Sequence, residues 1–256
     1  MKIVKVKDQG KEYTGKVSHT ALSNINLTIT EREFVGIMGP SGSGKTTLLN
    51  MISTIDSPSS SSVFIDNQNP NELSANDLAL FRRQELEFVF QSFNLPHTLT
   101  VKENMVLPPA LDVMNVKRIN KRVESISKKL GINEILNKRT YEISGGQAQR
   151  TVIARALIHS PKLILADEPT GKLDSKASQD VMEILTLLNK EEKETMMLVT
   201  YDSVAASYCD RIIFIKEGQL YNEVTCKDDR PLFYKKIMDS LSMLGGNKHD
   251  FSTTRI

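Results

Sequence analysis

The sequence predicts an α/β fold: a mostly parallel sheet with an antiparallel β subdomain and an α-helical subdomain attached. Three observations predict it. Residues 34–38, 163–166 and 196–199 are short apolar runs with no polar face, the pattern of strands buried on both sides of a parallel sheet. Each run is followed by a turn and then a helix-like stretch, the alternation of an α/β chain. The first thirty residues instead alternate apolar and polar side chains, as half-exposed antiparallel strands do.

Taken in order, residues 3–7 and 21–29 carry that alternation. Residues 34–38 form the first buried strand, and a helix is expected to begin near Gly44. The Ser/Pro run at 57–62 lies between expected elements and reads as a loop. Ile119, Val123, Ile126 and Leu130 make one stripe at helical spacing, so the stretch from about 100 to 145 reads as helical with no strand. Val181, Ile184, Leu185 and Leu188 mark a second helix in the same way. From 246 to 256 the chain turns polar, and this tail is expected to fray.

Composition narrows the function classes. Of 256 residues, 39% are apolar and 25% charged, a globular profile. A net charge of +2 gives no electrostatic case for nucleic acid. No run approaches the roughly eighteen apolar residues of a membrane span, and the lysine-rich first residues lack a signal peptide's apolar core. A cytoplasmic protein is expected, with Cys209 and Cys226 as reduced thiols. The four histidines, His19, His97, His159 and His249, are too scattered for a metal site.

Gly39, Pro40, Ser41, Gly42, Ser43, Gly44, Lys45 and Thr46 match the phosphate-binding pattern G-x-x-x-x-G-K-[ST] directly after a buried strand. Glycines let the backbone curl so that successive N–H groups face phosphate oxygens. The helix that follows adds the positive end of its dipole. Lys45 supplies a mobile charge for the β- and γ-phosphates, and the Thr46 hydroxyl can ligate Mg²⁺. This predicts a P-loop NTPase core binding ATP or GTP. Asp167 and Glu168 close the strand at 163–166, at the carboxyl edge where ligands gather in such sheets. Asp167 can hold the Mg²⁺ shell, and Glu168 is placed to orient or deprotonate the attacking water.

The octapeptide Ile143-Ser144-Gly145-Gly146-Gln147-Ala148-Gln149-Arg150, together with the P-loop, resembles the signature sequence of ATP-binding cassette (ABC) proteins. Gln91 resembles their Q-loop glutamine, a further Mg²⁺ ligand. Asp167-Glu168-Pro169-Thr170 with Leu173-Asp174 resembles their Walker B and D-loop, and Tyr13 stands where an aromatic ring stacks on adenine. The motifs run in family order from Tyr13 to Asp202, about four-fifths of the chain. The resemblance implies one ATP-binding domain over 1–245, with a helical subdomain at about 95–160. It also implies that Thr47 joins the nucleotide contacts. Ser144 caps a second helix tip, which in the family faces the γ-phosphate held by the opposite subunit. The partners implied are a second copy of the chain, with ATP sandwiched between the two, and an integral membrane permease that would hold the chain at the inner face of the membrane. Phe93, Leu95 and Pro96 are either permease contacts or core residues, and residues 139–142 are a candidate second contact.

Finer likeness points to the macrolide- and lipoprotein-handling branch. Within it, residues 204–216 are most similar to bacitracin-type peptide-antibiotic transporters, whose permease works with a sensor histidine kinase. Two soluble alternatives within the family fit less well. DNA-repair members carry a long coiled coil between the Q-loop and the signature, but only about fifty residues separate Gln91 from Ser144. Translation-factor members carry two cassettes per chain, and one is present.

Several positions depart from the family. Thr200-Tyr201-Asp202 stands where Thr-His-Asp is usual, so slow hydrolysis with ATP binding retained is expected, as in a weakly hydrolysing regulatory subunit. Arg32 and Ser61 replace glycines usual in turns before strands. Lys172 and Ala148 differ from the common residues without carrying chemistry.

Overall fold

The computed structural model describes residues 1–14, 18–112 and 115–245, with Ser61 described only as backbone. The polar tail at 246–256 lies outside the described residues. In order come β1 (Lys2–Tyr13), β2 (His19–Thr30), β3 (Phe34–Met38), α1 (Lys45–Ile52), β4 (Ser60–Ile65), α2 (Ala75–Glu85), β5 (Leu86–Phe90), α3 (Val101–Leu111) and α4 (Val116–Lys129). They are followed by α5 (Gly145–Leu157), β6 (Leu163–Asp167), α6 (Ser175–Glu191), β7 (Met196–Val199), α7 (Ser203–Ala206), β8 (Arg211–Lys216), β9 (Gln219–Thr225) and α8 (Arg230–Leu244).

Two sheets form. One is antiparallel with order β2-β1-β4, and the other runs β5-β6-β7-β3-β8-β9, parallel except for β9. All five residues of β3 and all four of β7 are buried, as their apolar composition requires. The pleat sends alternate residues to opposite sides. Phe34, Met38, Ile164, Ala166, Met196, Leu198, Ile212 and Phe214 enter a core shared with α3–α6 and α8. Their neighbours Val35, Ile37, Leu163, Leu165, Met197, Val199, Ile213 and Ile215 enter a second core with α1 and the antiparallel sheet. The central strands of this sheet are therefore covered on both faces, while its edge strand β9 is largely exposed.

The helical stripes fall where their spacing placed them. Ile119, Val123 and Leu130 are buried, as are Val181, Leu185 and Leu188, while Ile126 and Ile184 pack partly buried against the same core. Between 100 and 145 the described residues contain no strand, only an isolated bridge from Thr100 to Arg139.

One expectation needs correction. The run at 57–62 is not all loop, because β4 begins at Ser60 and pairs with Gly10 and Lys7 of β1. Serine has weak strand preference, but the β1 edge supplies the pairing that propensity lacks. Ser61 accordingly sits inside a strand rather than in a turn before one. Of the two readings open for Leu95, the core one holds: it is buried in the same core as Val89 and Val101. Pro96 is exposed, and Phe93 is partly buried.

Candidate functional site

Register brings the motifs to one edge. Phe90 pairs with Asp167, Asp167 with Val199, and Val199 with Ile37. The next residues along these strands are Gln91, Glu168, Thr200-Tyr201 and Met38-Gly39. The carboxyl ends of β5, β6, β7 and β3 thus converge, although the motifs lie far apart in sequence.

The loop from Gly39 to Gly44 is curled tightly against its surroundings. A Cβ on Gly39 would stand 2.1 Å from the Ile215 carbonyl oxygen, and one on Gly44 2.7 Å from that of Ala21. Gly44, with φ 103°, is the N-cap of α1 and has no side chain to cap it, which leaves the helix's first N–H groups for an anion. The loop is exposed at Ser41, Gly42 and Thr46, while Ser43 is buried and Pro40 and Thr47 are half-buried.

Lys45 folds back into this cradle. Its ammonium donates to the Gly39 carbonyl at 3.0 Å and to Pro40's at 2.7 Å. Burial pushes its pKa down to about 8, against the pull of Glu168 and Asp167. Both carboxyls shift the opposite way. Burial raises Asp167, opposed by Lys45, and burial raises Glu168 with the Asp167 charge adding to it. A desolvated acidic pair facing one cation, beside a loop of inward N–H groups, is a donor set that fits Mg²⁺ with phosphate. Thr46, Gln91 and Asp167 could hold the ion, whose charge would offset that of the β- and γ-phosphates.

Glu168 has φ 46°, an uncommon backbone state for a non-glycine residue. Its N–H donates to the Val199 carbonyl at 2.9 Å, and its carbonyl accepts from Gly171 at 3.0 Å, so two bonds hold the strained turn that aims the carboxylate. The Gln91 amide donates to Glu168 at 3.5 Å. Gly171 is a functional position that motif reading left without a role. A Cβ there would come 2.5 Å from the Gln91 amide nitrogen and 3.2 Å from a Glu168 oxygen, so glycine is what lets those two side chains meet.

Tyr201 lies in the same place. Its ring centroid is 4.0 Å from the Lys45 ammonium, a cation–π contact. Burial and then the Glu168 charge raise its phenol pKa, while a hydrogen bond from Ser41 opposes them. The phenol is therefore a proton donor, not a base, at neutral pH.

The second helix tip is formed as its sequence predicts. Ser144 caps α5 by accepting from the Gln147 N–H at 3.3 Å, and Gln147 Oε1 accepts from the Ser144 N–H at 3.0 Å, a capping box. Ser144 and Gly145 are exposed. A Cβ on Gly146 would lie 3.3 Å from the Ala177 Cβ in α6, and α6 is itself capped by Asp174, which accepts from the Ala177 N–H at 2.9 Å. Signature and D-loop thus pack as one unit.

Tyr13 is exposed at the end of β1, and its hydroxyl donates to Asp56 at 2.9 Å, with Lys11 4.9 Å from the ring centroid. Asp56 was not legible as a partner, because 43 residues separate the two. Among the described residues no cluster of His, Cys, Asp and Glu forms a metal cage, both cysteines are free, and no helix is long and apolar enough to cross a membrane.

A family model described as ABC transporter matches residues 22–171. The chain is 54% identical to the ABC transporter ATP-binding protein YxdL of Bacillus subtilis, over 99% of both chains. It is 45% identical to the bacitracin export ATP-binding protein BceA of Halalkalibacterium halodurans, over 98% of this chain and all of that one. The structure resembles, with TM-score 0.79 and 42% identity over 87% of this chain and 98% of the other, the dimeric post-hydrolysis state of the ATP-binding cassette MJ0796 of Methanocaldococcus jannaschii bound to ADP and Pi. The P-loop, the acidic strand end and the capped signature helix lie in one cassette fold, and this chain belongs to the ABC transporter family as one of its ATP-binding ATPases.

Proposed function

We propose that this ATPase powers a separate membrane permease in resistance to peptide antibiotics such as bacitracin, working at the inner face of the membrane. The observation that carries the subgroup is the full-length 45% identity to a bacitracin export ATP-binding protein. Through its permease the chain would also meet a sensor histidine kinase.

Two copies would close head to tail around ATP. The P-loop from Gly39 to Thr46, with Thr47, holds the phosphates of one nucleotide, and Tyr13 stacks on its adenine. Ser144 through Gln147 of the other copy meet the γ-phosphate. Glu168 takes the proton of the attacking water, and Tyr201 donates toward the γ-phosphate. Asp174 sets the D-loop between the copies. The exposure of both helix tips on one chain supports this arrangement, since each tip offers N–H groups to an anion.

The test is genetic and biochemical together. Removal of the chain should increase bacitracin susceptibility, restored by the wild type and not by Glu168→Gln. If macrolide susceptibility changes instead, the macrolide branch is the better assignment and the peptide-antibiotic reading fails.

A second reading, a weakly hydrolysing regulatory subunit, is favoured by one observation: the Tyr201 ring covers Lys45. ATP turnover in the assembled complex separates the two. Turnover indistinguishable from that of Glu168→Gln would favour the regulatory role.

A further inference from the structure

Four consecutive residues after β5 each approach a different segment of the chain. Gln91 donates to Glu168 at 3.5 Å, and the Ser92 hydroxyl accepts from Lys172 at 3.2 Å. The Phe93 ring comes within 3.9 Å of the place a Cβ on Gly145 would occupy. The Asn94 carbonyl accepts from Arg155 Nη1 at 2.9 Å. Phe93 and Asn94 have φ of 58° and 49°, so this turn is held against an intrinsic backbone cost.

Arg155 is the member that reaches furthest. It lies near the far end of α5, whose first residues carry the signature. Its Nε stands 3.8 Å from the Glu87 carboxylate, and the two side chains are only 12% and 14% exposed. Glu87 belongs to β5, four residues before Gln91. One guanidinium therefore spans the strand that enters the turn and the carbonyl that leaves it. Its planar fork suits two simultaneous partners in a way an ammonium does not.

We infer that Arg155 is a positioning residue for ATP hydrolysis, clamping the turn at 91–94 to the signature helix and so setting where Gln91 stands beside Glu168. The inference rests on reading Glu168 and Gln91 as part of the hydrolytic site, and it adds the residue that positions Gln91 there. Arg155 touches neither nucleotide nor water. It acts through the Asn94 carbonyl and Glu87.

Hydrogen exchange and steady-state hydrolysis on the full chain test it, with Arg155→Met and Arg155→Lys. The Phe93 and Asn94 amides bond the Phe90 and Ser92 carbonyls, so they report the clamp directly. In Arg155→Met their exchange should rise about tenfold while residues 34–38 stay protected, as loss of a charge-assisted bond predicts. The kcat should fall roughly tenfold with KM for ATP held within about twofold. Arg155→Lys should recover part of both effects. The inference is overturned if the Met variant leaves exchange at 93–94 unchanged, if KM worsens along with kcat, or if Lys is as defective as Met. Should Arg155→Met fail to fold, Arg155→Lys decides alone: a smaller shift in the same direction supports the clamp, and none overturns it. If the wild type shows no hydrolysis, the proposed function fails, and the exchange measurement still decides the clamp.

Discussion

At position 201 stands a phenol, where the resemblance to the family implies an imidazole. Its ring lies over Lys45, 4.0 Å from the ammonium, at the edge of the phosphate cradle. It can donate one hydrogen bond, but its raised pKa keeps it from sharing the proton as imidazole does. A hydrogen bond to a charged group is worth roughly 1.5–3 kcal/mol, on the order of ten- to a hundredfold in rate when made only in the transition state. Tyr201→His should therefore raise kcat by about ten- to a hundredfold with little change in ATP affinity, measured by steady-state hydrolysis and nucleotide titration. No gain in kcat would sink this reading of the site. Arg32 is a second residue where the backbone decides. Its φ is 68°, and the turn is kept by Arg32 N–H donating to Thr195 at 2.9 Å and its carbonyl accepting from Asn189 at 2.8 Å. The left-handed state costs a side-chain-bearing residue about 1–2 kcal/mol, partly offset by glycine's greater unfolded-state entropy. Arg32→Gly should stabilise the chain by roughly 0.5–1 kcal/mol in denaturant unfolding, because the exposed side chain has little packing to lose.

The elements that make the site differ in how far they can be read without coordinates. Strand β3, the P-loop and α1 form a unit whose pH response follows from burial. Burial pushes the Lys45 pKa down to about 8 from the 10.5 of a free lysine, so above pH 8 the unfolded chain holds the extra proton. Stability then rises with pH across that window: Lys45 should add stability between about pH 8 and 10.5 and none below it. Thermal unfolding of wild type and Lys45→Met across this range checks the sign, since the difference between them isolates the one group. A wild-type midpoint that falls relative to the variant would contradict it. This unit was legible because local chemistry dictates it: an apolar strand with no polar face, then glycines, then a lysine. The signature helix was legible for the same reason, since Ser144 and Gln147 cap it from within four residues. What escaped was long-range. Ser60 joins a strand only because the β1 edge waits for it, and Asp56 finds Tyr13 across 43 residues. Gly171 escaped as well, because one of the side chains that crowd it, Gln91, comes from just after β5, far off in sequence.

For the molecule as a whole, the exposure of both helix tips is the observation that favours a partner. Lys45 and the exposed Thr46 offer a phosphate one set of donors, and the exposed N-terminus of α5 offers another. A helix tip left without its ligand has N–H groups that only water satisfies. Nucleotide bridging the P-loop of one copy and Ser144–Gln147 of the other would satisfy both tips at once. Such binding favours the dimer by mass action, in proportion to nucleotide concentration over its dissociation constant. Hydrolysis removes the bridge, so the closed state should accumulate only when the water-activating carboxylate is disabled. Glu168→Gln keeps the shape of the side chain and its approach to Gln91 while removing the base. At saturating Mg·ATP this variant should shift from the 28.7 kDa chain to twice that mass by light scattering, and return to the monomer when nucleotide is withdrawn. Adding Ser144→Arg to the same variant should prevent the shift, because a bulky cation would replace the cap that aims α5. A Glu168→Gln chain that stays monomeric with its P-loop saturated would mean the two tips never share a nucleotide.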